Sequence, residues 1–397
     1  MDASVQVVIV GGCGHVGLPL GLAFADAGLS VLLYDVDADV VDTVRSGKMP
    51  FLEHGADEVL ARVLASGKLT CSTTPEHVGE AEHVVVVIGT PVDEHLNPDP
   101  AAVVRAIELI VDHLHDGQHI VMRSTVYPGV TAMVERLLAS HGKAIDVSFC
   151  PERIAEGHAL TELRSLPQIV SGRTPEVIER AGDLFRNLTA DIVPLEIEEA
   201  ELAKLFTNTW RYIKFAAANQ LYMIATSYGA DFEKIRQAMR QDYPRAADIP
   251  GAGLTAGPCL LKDTMQLAAF NQNNFLLGHA SMLINEALPG YLVDQVAKDH
   301  DLSTMTVGVL GMAFKAESDD IRSSLSYKLK RLLKLRAARV LCTDPYVSVD
   351  RDLEPLDVVL SQADLIVIAA PHAAYRALDT AAPVIDIWNL VSPGSAE

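Results

Sequence analysis

Short apolar runs separated by amphipathic stretches dominate the first two hundred residues. Val5–Val10, Val31–Tyr34, Val84–Ile88, Ile120–Arg123 and Val147–Cys150 are each four to six residues long and mostly apolar, with Val and Ile prominent in the first, third and fourth. This is the pattern of buried strands in a parallel sheet with crossover helices. A Gly-rich turn follows the first run and predicts a helix to about Ala27. The runs end at Asp35, at Gly89-Thr90-Pro91, at Ser124-Thr125 and at Pro151-Glu152. Ligands of such sheets collect beyond the carboxyl ends of the strands, so Asp35, Thr90, Thr125 and Glu152 are expected to face one crevice.

From about Glu198 the period changes. Residues 198–228 carry helical spacing with no Pro or Gly before Gly229, enough for a long linking helix. More helix is predicted to about residue 300, interrupted by a loop at Tyr243–Pro258. Strand-like runs then return at Val307–Leu310, Ala338–Cys342, Leu365–Ala369 and Val384–Ile387. The expected organisation is an α/β domain at 1–197, a central long-helix region at 198–300 and a smaller α/β domain at 301–397.

Hydrophobic content of 49% excludes a disordered chain, and a net charge of −20 without a basic run argues against binding nucleic acid or an anionic membrane. No apolar run approaches the length of a membrane span, and no basic leader precedes the strand that begins at Val5. Five scattered cysteines suit a reducing compartment better than a disulfide framework. A cytoplasmic protein with no metal site is expected.

Gly12-Cys13-Gly14-His15-Val16-Gly17 fits G-x-G-x-x-G between a strand and a helix. Gly12 allows a tight turn, Gly14 lets the backbone approach a pyrophosphate, and Gly17 lets helix and strand pack closely. The helix N-terminus supplies partial positive charge. Asp35 ends the second strand 23 residues after Gly12, where a carboxylate accepts from a ribose diol and repels a 2′-phosphate. NAD is therefore the expected cofactor and the first domain is read as Rossmann-type, with a smaller Rossmann-like domain at the C-terminus. His15 is expected to line the loop, and Cys13 to be incidental.

Cys259 raises a second kind of chemistry. A lone cysteine is ordinarily a small buried hydrophobe. Here Gly257-Pro258 precede it, a helical pattern follows, and Lys262 and Asp263 stand three and four residues on. A helix N-terminus and a nearby cation both favour a thiolate. The other cysteines, Cys71, Cys150 and Cys342, lack a basic neighbour in sequence and are read as structural.

At this point the chain resembles the nucleotide-sugar 6-dehydrogenases, the UDP-glucose / UDP-N-acetylmannosamine dehydrogenase family. The likeness runs through the glycine turn, Tyr34-Asp35-Val36-Asp37, Ser46-Gly47-Lys48-Met49-Pro50-Phe51-Leu52-Glu53, Gly89-Thr90-Pro91 and Ser124-Thr125-Val126-Tyr127-Pro128-Gly129. It continues in Cys150-Pro151-Glu152-Arg153-Ile154-Ala155-Glu156-Gly157, Ala200-Glu201-Leu202-Ala203-Lys204-Leu205-Phe206-Thr207-Asn208 and the Cys259 segment. It closes with Leu310-Gly311-Met312-Ala313-Phe314-Lys315, Asp320-Ile321-Arg322 and Asp344-Pro345-Tyr346. Order and spacing together are far more specific than any one segment.

The resemblance implies a four-electron oxidation of a sugar 6-alcohol to a carboxylate with two NAD+ reduced. Cys259 is then the nucleophile, forming a thiohemiacetal and a thioester. Lys204 and Asn208 share the oxyanion, Asp263 and Thr125 position a water, and Glu152 is the hydrolytic base. The implied cofactor set is Gly12, Gly14, His15, Val16, Gly17, Asp35, Thr90, Thr125 and Glu156. The implied substrate set is Glu152, Arg153, Lys204, Asn208, Arg245, Gly257, Lys315 and Arg322, with Lys214 a weaker candidate. A homodimer built on the long helix is also implied. Simpler readings stand beside these: Lys204 as a solvated helix residue, Glu152 as a strand-end cap, Thr125 as a helix cap or turn residue, Asn208 as buried packing, Asp263 as half of a surface ion pair with Lys262 or Lys204, and Lys315 and Arg322 as surface cations.

The loop Gly253-Leu254-Thr255-Ala256-Gly257-Pro258 has fewer glycines than relatives carry, and Leu261 stands where many have Pro. Cys150-Pro151-Glu152-Arg153 looks like the N-acetylhexosamine branch, whereas Ala155-Glu156-Gly157 looks like the glucose branch. The sugar stays open; a UDP-sugar is favoured, with dTDP- and GDP-sugars as alternatives. Two rival functions share the fold: a two-electron dehydrogenase of the β-hydroxyacid type that leaves Cys259 idle, and a non-catalytic nucleotide-binding protein.

Overall fold

The computed structural model describes residues 5–90, 92–93, 98–255 and 257–391. Pro91 of the Gly89-Thr90-Pro91 turn and Ala256 of the loop before Cys259 lie outside the described residues. The chain divides into two units, Met1–Thr207 and Asn208–Glu397.

In the first unit, six strands form one parallel sheet: β1 (Val7–Val10), β2 (Val31–Tyr34), β3 (Leu69–Ser72), β4 (His83–Val86), β5 (His119–Met122) and β6 (Asp146–Phe149). Their order is β3-β2-β1-β4-β5-β6, so the strand sequence reverses direction at β1, beside β4. The apolar runs are continuous because both faces are covered. Val7, Ile9, Leu33 and Val85 pack with Leu18, Leu22 and Phe24 on one face, and Val8, Val10, Leu32 and Val84 pack with Val103, Ile107 and Val134 on the other.

Five of these strands lie where the hydrophobic pattern placed them, to within two residues, and β2 matches without a shift. The pattern missed β3, because Leu69-Thr70-Cys71-Ser72 is half polar and forms the edge of the sheet. It also missed a separate parallel pair, β7 (Gln168–Ser171) with β8 (Ile192–Leu195). β8 is only partly covered and contains Pro194, so it lacks the signature of a buried strand.

The helix predicted at 198–228 is Ile197–Ser227 and passes from the first unit into the second. Glu201 anchors its start within the first unit: the buried carboxylate accepts from the amides of Gly129 (2.6 Å) and Thr131 (3.0 Å) and from the Thr131 hydroxyl (2.6 Å). The Ala200–Asn208 segment is thereby tied to the Ser124–Gly129 turn.

The second unit continues with helices Phe232–Arg240, Leu260–Phe270 and Leu276–Asp299. It ends in a parallel sheet of β9 (Thr306–Leu310), β10 (Arg339–Thr343), β11 (Leu365–Ile368) and β12 (Val384–Asp386), ordered β10-β9-β11-β12. All four strands match predicted runs to within a residue or two. The fold is α/β: along the chain, a parallel sheet in the N-terminal part, then helices, then a second parallel sheet in the C-terminal part. Among the described residues no helix is long and apolar enough to cross a membrane.

Candidate active site

The glycine turn after β1 is shaped by close approach. A methyl on Gly12 would come within 2.7 Å of the Ile9 carbonyl oxygen, and one on Gly17 within 2.4 Å of the Gly11 carbonyl oxygen. At Gly14 the nearest atom would be 3.8 Å away, so the backbone there is open to a ligand. The left-handed residue of the turn is Gly11 (φ +75°), one before the glycine that the motif assigns to it. Val16 is the N-cap of helix Gly17–Asp26 and contributes no side-chain bond. His15 stacks on Phe51, ring centres 4.1 Å apart, so it lines the loop and joins it to the Ser46–Glu53 segment.

Asp35 accepts the Cys13 amide (3.0 Å) and the Asp37 amide (3.2 Å) and stays half-exposed. Each carboxylate oxygen keeps a lone pair for a ribose hydroxyl. An open Gly14, crowded glycines on either side and an accessible acid together fit a dinucleotide. Cys13 is buried against Cys71; that sulfur partner and then burial push the Cys13 thiol up, away from nucleophilic use.

The same turn recurs after β9. Gly311 (φ +93°) donates to the Thr343 carbonyl at 2.9 Å, as Gly11 does to that of Tyr34 at 2.9 Å, and Met312 donates to Asp344 at 2.6 Å. Asp344, however, is fully buried and also receives Ala313, Tyr346 and His372. With its side chain 0% exposed, the carboxylate is closed to a ribose hydroxyl, so this turn does not repeat the ribose-binding feature of the first.

At the carboxyl ends of β4 and β5, Thr90 and Thr125 meet: the Thr90 hydroxyl donates to the Thr125 carbonyl at 2.7 Å. Thr125 is not a helix cap, since Gly129 holds that position for Val130–Ser140. Beyond β6, Glu152 is buried and its Oε1 accepts the amides of Arg153 (2.7 Å) and Ile154 (3.0 Å). It therefore does cap a turn, and its Oε2 is paired with Arg123. Arg153 turns to the Pro167 carbonyl, and Glu156 is half-buried on the same loop. Glu53 fixes the end of that loop by accepting Gly157 (2.8 Å) and Ala159 (2.7 Å). Burial holds the Glu53 carboxyl above its ordinary range.

In the second unit, Cys259 is exposed and is the N-cap of helix Leu260–Phe270. The core reading of this cysteine is thus overturned. It stands at a helix start, where an anion is favoured. By contrast, burial pushes the thiols of Cys150 up to about 12 and Cys342 up to about 11. Asp263 lies one turn along the helix, 0% exposed. Its Oδ2 accepts from Asn208 at 2.5 Å, Lys262 is 3.4 Å from Oδ1, and Oδ1 has no hydrogen-bond partner among the described residues. The surface-pair reading of Asp263 fails, because the carboxylate is buried. Lys204 precedes Asn208 by one helical turn and is only 9% exposed, so it is not a solvated helix residue.

The altered loop before Cys259 is firmly held. Asn219 brackets Gly253, donating to its carbonyl (3.1 Å) and accepting its amide (2.9 Å), while Asn285 accepts from Asn219 at 2.9 Å. A methyl on Gly253 would meet Trp388 at 2.1 Å, and one on Gly257 (φ +109°) would meet Phe314 at 2.6 Å. Gly257 thus brings the cysteine loop against the segment that carries Lys315, whose Nζ is 5.5 Å from the Phe314 ring centre. Arg322 is paired with Asp320 (2.6 Å), Arg245 is exposed over Tyr243, and Lys214 pairs with Asp248 (3.3 Å).

Sequence reasoning missed Arg123, Glu53, Asn219, Asn285 and Phe314. Their signal is weak: a single polar or aromatic residue in an apolar run becomes meaningful only when its burial is known.

A parallel sheet with this turn and acid, followed by an exposed cysteine at a helix start, defines a dinucleotide-dependent oxidoreductase. Residues 5–189 match the NAD binding domain of the UDP-glucose/GDP-mannose dehydrogenase family, residues 198–287 its central domain and residues 308–393 its UDP binding domain. The UDP-N-acetyl-D-mannosamine dehydrogenase of Pyrococcus horikoshii is 30% identical over 385 residues, covering 94% of this chain and 91% of the relative. The NDP-N-acetyl-D-galactosaminuronic acid dehydrogenase of Ralstonia nicotianae is 27% identical, with 96% and 94% covered. Among solved structures, that of the Pyrococcus horikoshii UDP-D-ManNAc dehydrogenase superposes with a TM-score of 0.90 at 28% identity, covering 98% and 96%. A UDP-glucose dehydrogenase from Pyrobaculum islandicum gives 0.88 at 28% identity, covering 97% and 94%. The chain belongs to the UDP-glucose/GDP-mannose dehydrogenase family: it is an NAD-dependent nucleotide-sugar dehydrogenase.

Asp35→Ala tests the cofactor site. The Michaelis constant for NAD+ is expected to rise about tenfold or more, one or two hydrogen bonds to a charged group being worth roughly 1.5–3 kcal/mol each. Preference over NADP+ should fall with it. Steady-state kinetics with both cofactors checks this, and an unchanged preference would remove Asp35 from the ribose site.

Proposed function

We propose that this protein oxidises the C6 alcohol of a UDP-sugar, an N-acetylhexosamine in first place, to a uronic acid in two steps on Cys259. The observation that carries the reading is the exposed thiol at a helix start, one turn from a buried Asn208–Asp263 pair. NAD+, when bound, supplies the hydride acceptor for both oxidations. The thiol of Cys259 adds to the C6 aldehyde, forming a C–S bond and a thiohemiacetal whose oxygen carries developing negative charge. Lys204 and Asn208 stabilise that oxyanion, a role in which a fixed donor in a dry site is worth about 10²–10³ in rate. Loss of hydride and a proton from the adduct leaves a thioester. Asp263, whose Oδ1 has no hydrogen-bond partner among the described residues, holds the hydrolytic water together with Thr125. Glu152 takes a proton from this water, the C–S bond breaks towards sulfur, and the carboxylate leaves. The net change is alcohol plus two NAD+ plus water to carboxylate plus two NADH and three protons.

Lys315, Arg322 and Arg245 are proposed for the anionic diphosphate and sugar, where guanidinium and ammonium groups suit phosphate oxygens. The UDP binding domain match and the names of the relatives favour uridine, and Cys150-Pro151-Glu152-Arg153 favours an N-acetylhexosamine. Phe206, Trp210, Leu221, Ile224 and Tyr228 form an exposed apolar stripe on and just past the long helix, which is proposed as the core of a homodimer. Sedimentation as a monomer at micromolar concentration would remove that assignment.

The test of function is NADH released per sugar consumed, measured against UDP-N-acetylmannosamine, UDP-N-acetylgalactosamine, UDP-glucose, dTDP-glucose and GDP-mannose. Two NADH per sugar with a carboxylate product is expected. One NADH per sugar would return the protein to a two-electron dehydrogenase, and no reduction with any of these sugars would overturn the substrate class.

A further inference from the structure

Arg123 closes β5 and is 1% exposed, a rare place for a cation. All three nitrogens of its guanidinium donate. Nε and Nη2 both reach Glu152 Oε2, at 2.9 and 2.5 Å. Nη1 donates to the Cys150 carbonyl at 3.0 Å, and Nη2 donates to Gln168 Oε1 at 2.9 Å. The guanidinium carbon lies 4.6 Å from the centre of the Phe185 ring. Glu152 is 6% exposed, and its other oxygen is held by two backbone amides. One side chain thus grips the segment on both sides of Pro151, at a backbone carbonyl and at the carboxylate two residues later.

A buried carboxylate without a counter-charge is strongly disfavoured, and breaking such a pair by removing one partner is far more disruptive than losing a surface ion pair. A carboxylate that must take a proton from water during hydrolysis has to be an anion beforehand and must sit in one place. Arg123 meets both requirements. We infer that Arg123 is a positioning residue for the hydrolytic half of the reaction: it holds Glu152 as a fixed anion at the carboxyl edge of the sheet. The inference rests on the assignment of Glu152 as the base that activates water. Arg123 acts only through Glu152. Chemically the step is unchanged: a water proton goes to Glu152, oxygen bonds to the acyl carbon, and the C–S electron pair returns to sulfur. The proton later passes from Glu152 to solvent.

The expected signature is a selective slowing of thioester hydrolysis. In Arg123→Met, rapid mixing with saturating UDP-sugar and NAD+ should still give a fast phase of two NADH per active site. Steady turnover should then fall about 10²-fold, in line with the usual worth of a general base. Acyl-enzyme should accumulate as a Cys259 adduct in intact mass spectra, with the Michaelis constant for NAD+ unchanged. Arg123→Lys keeps the charge but loses the fork and should be slowed about tenfold. A merely structural role would lower the fast phase and the steady rate in proportion, with no adduct, and that result overturns the inference. If Arg123→Met does not fold, the lysine variant decides: wild-type hydrolysis in it is equally fatal. Glu152→Gln separates the two levels. An adduct in Glu152→Gln with none in the Arg123 variants defeats the positioning role alone, whereas no adduct in any of them defeats the base assignment beneath it.

Discussion

Cys259→Ser is expected to lower steady NADH formation by roughly 10³-fold or more, the scale seen when a covalent nucleophile is removed. A serine alkoxide can add to an aldehyde, but a hydroxyl is scarcely ionised near neutral pH and an oxygen ester is the poorer acyl intermediate. The variant should fold normally, since the exposed side chain fills no core. A covalent substrate adduct visible by intact mass would accompany the loss. Removal of the side chain in Cys259→Ala should leave at most the first oxidation, read as one NADH per sugar. Steady turnover near that of the unmodified protein would refute the nucleophile assignment outright.

Lys204→Met should cost about 10²–10³ in the rate of NADH formation, because it removes a cation from a site largely withdrawn from water. Methionine keeps most of the stem volume, so packing around Ala203 and Leu205 is preserved. The loss should fall on the rate constant rather than on substrate binding, since the oxyanion exists in the addition and oxidation steps and not in the bound alcohol. Stopped-flow NADH traces together with Michaelis constants check the division. A rate within threefold of the unmodified protein would make Lys204 an ordinary buried amphipathic side chain.

Much of the architecture is legible in period alone. Strands β1, β2, β4, β5 and β6 are buried on both faces and announce themselves as short, mostly apolar runs. The edge strand β3 and strand β8 do not, because each is only partly covered, and β7, though buried, begins and ends on polar Gln168 and Ser171. The turn at Gly12–Gly17 could be read because close backbone approach admits only glycine, although the left-handed residue proved to be Gly11. Asp35 and Asp344 show the limit of such reading. Both follow a strand and accept an amide from a glycine turn, yet only the burial of Asp344 against His372 shows that it has nothing left for a ligand.

By itself the sequence determined the parallel sheets at the two ends, the long helix between them, the dinucleotide turn with its acid, and the helix that starts after Cys259. These depend on local period, turn chemistry and steric limits, which act over a few residues. Only the tertiary structure decided that Cys259 is exposed while Cys13, Cys150 and Cys342 are buried, that Asp263 and Lys204 are buried, that Asn208 reaches Asp263, and that Arg123 holds Glu152. Those facts depend on which distant segments exclude water from a side chain and which partner meets it there. The apolar pattern that builds a strand does not record what will stand beside the arginine at its end.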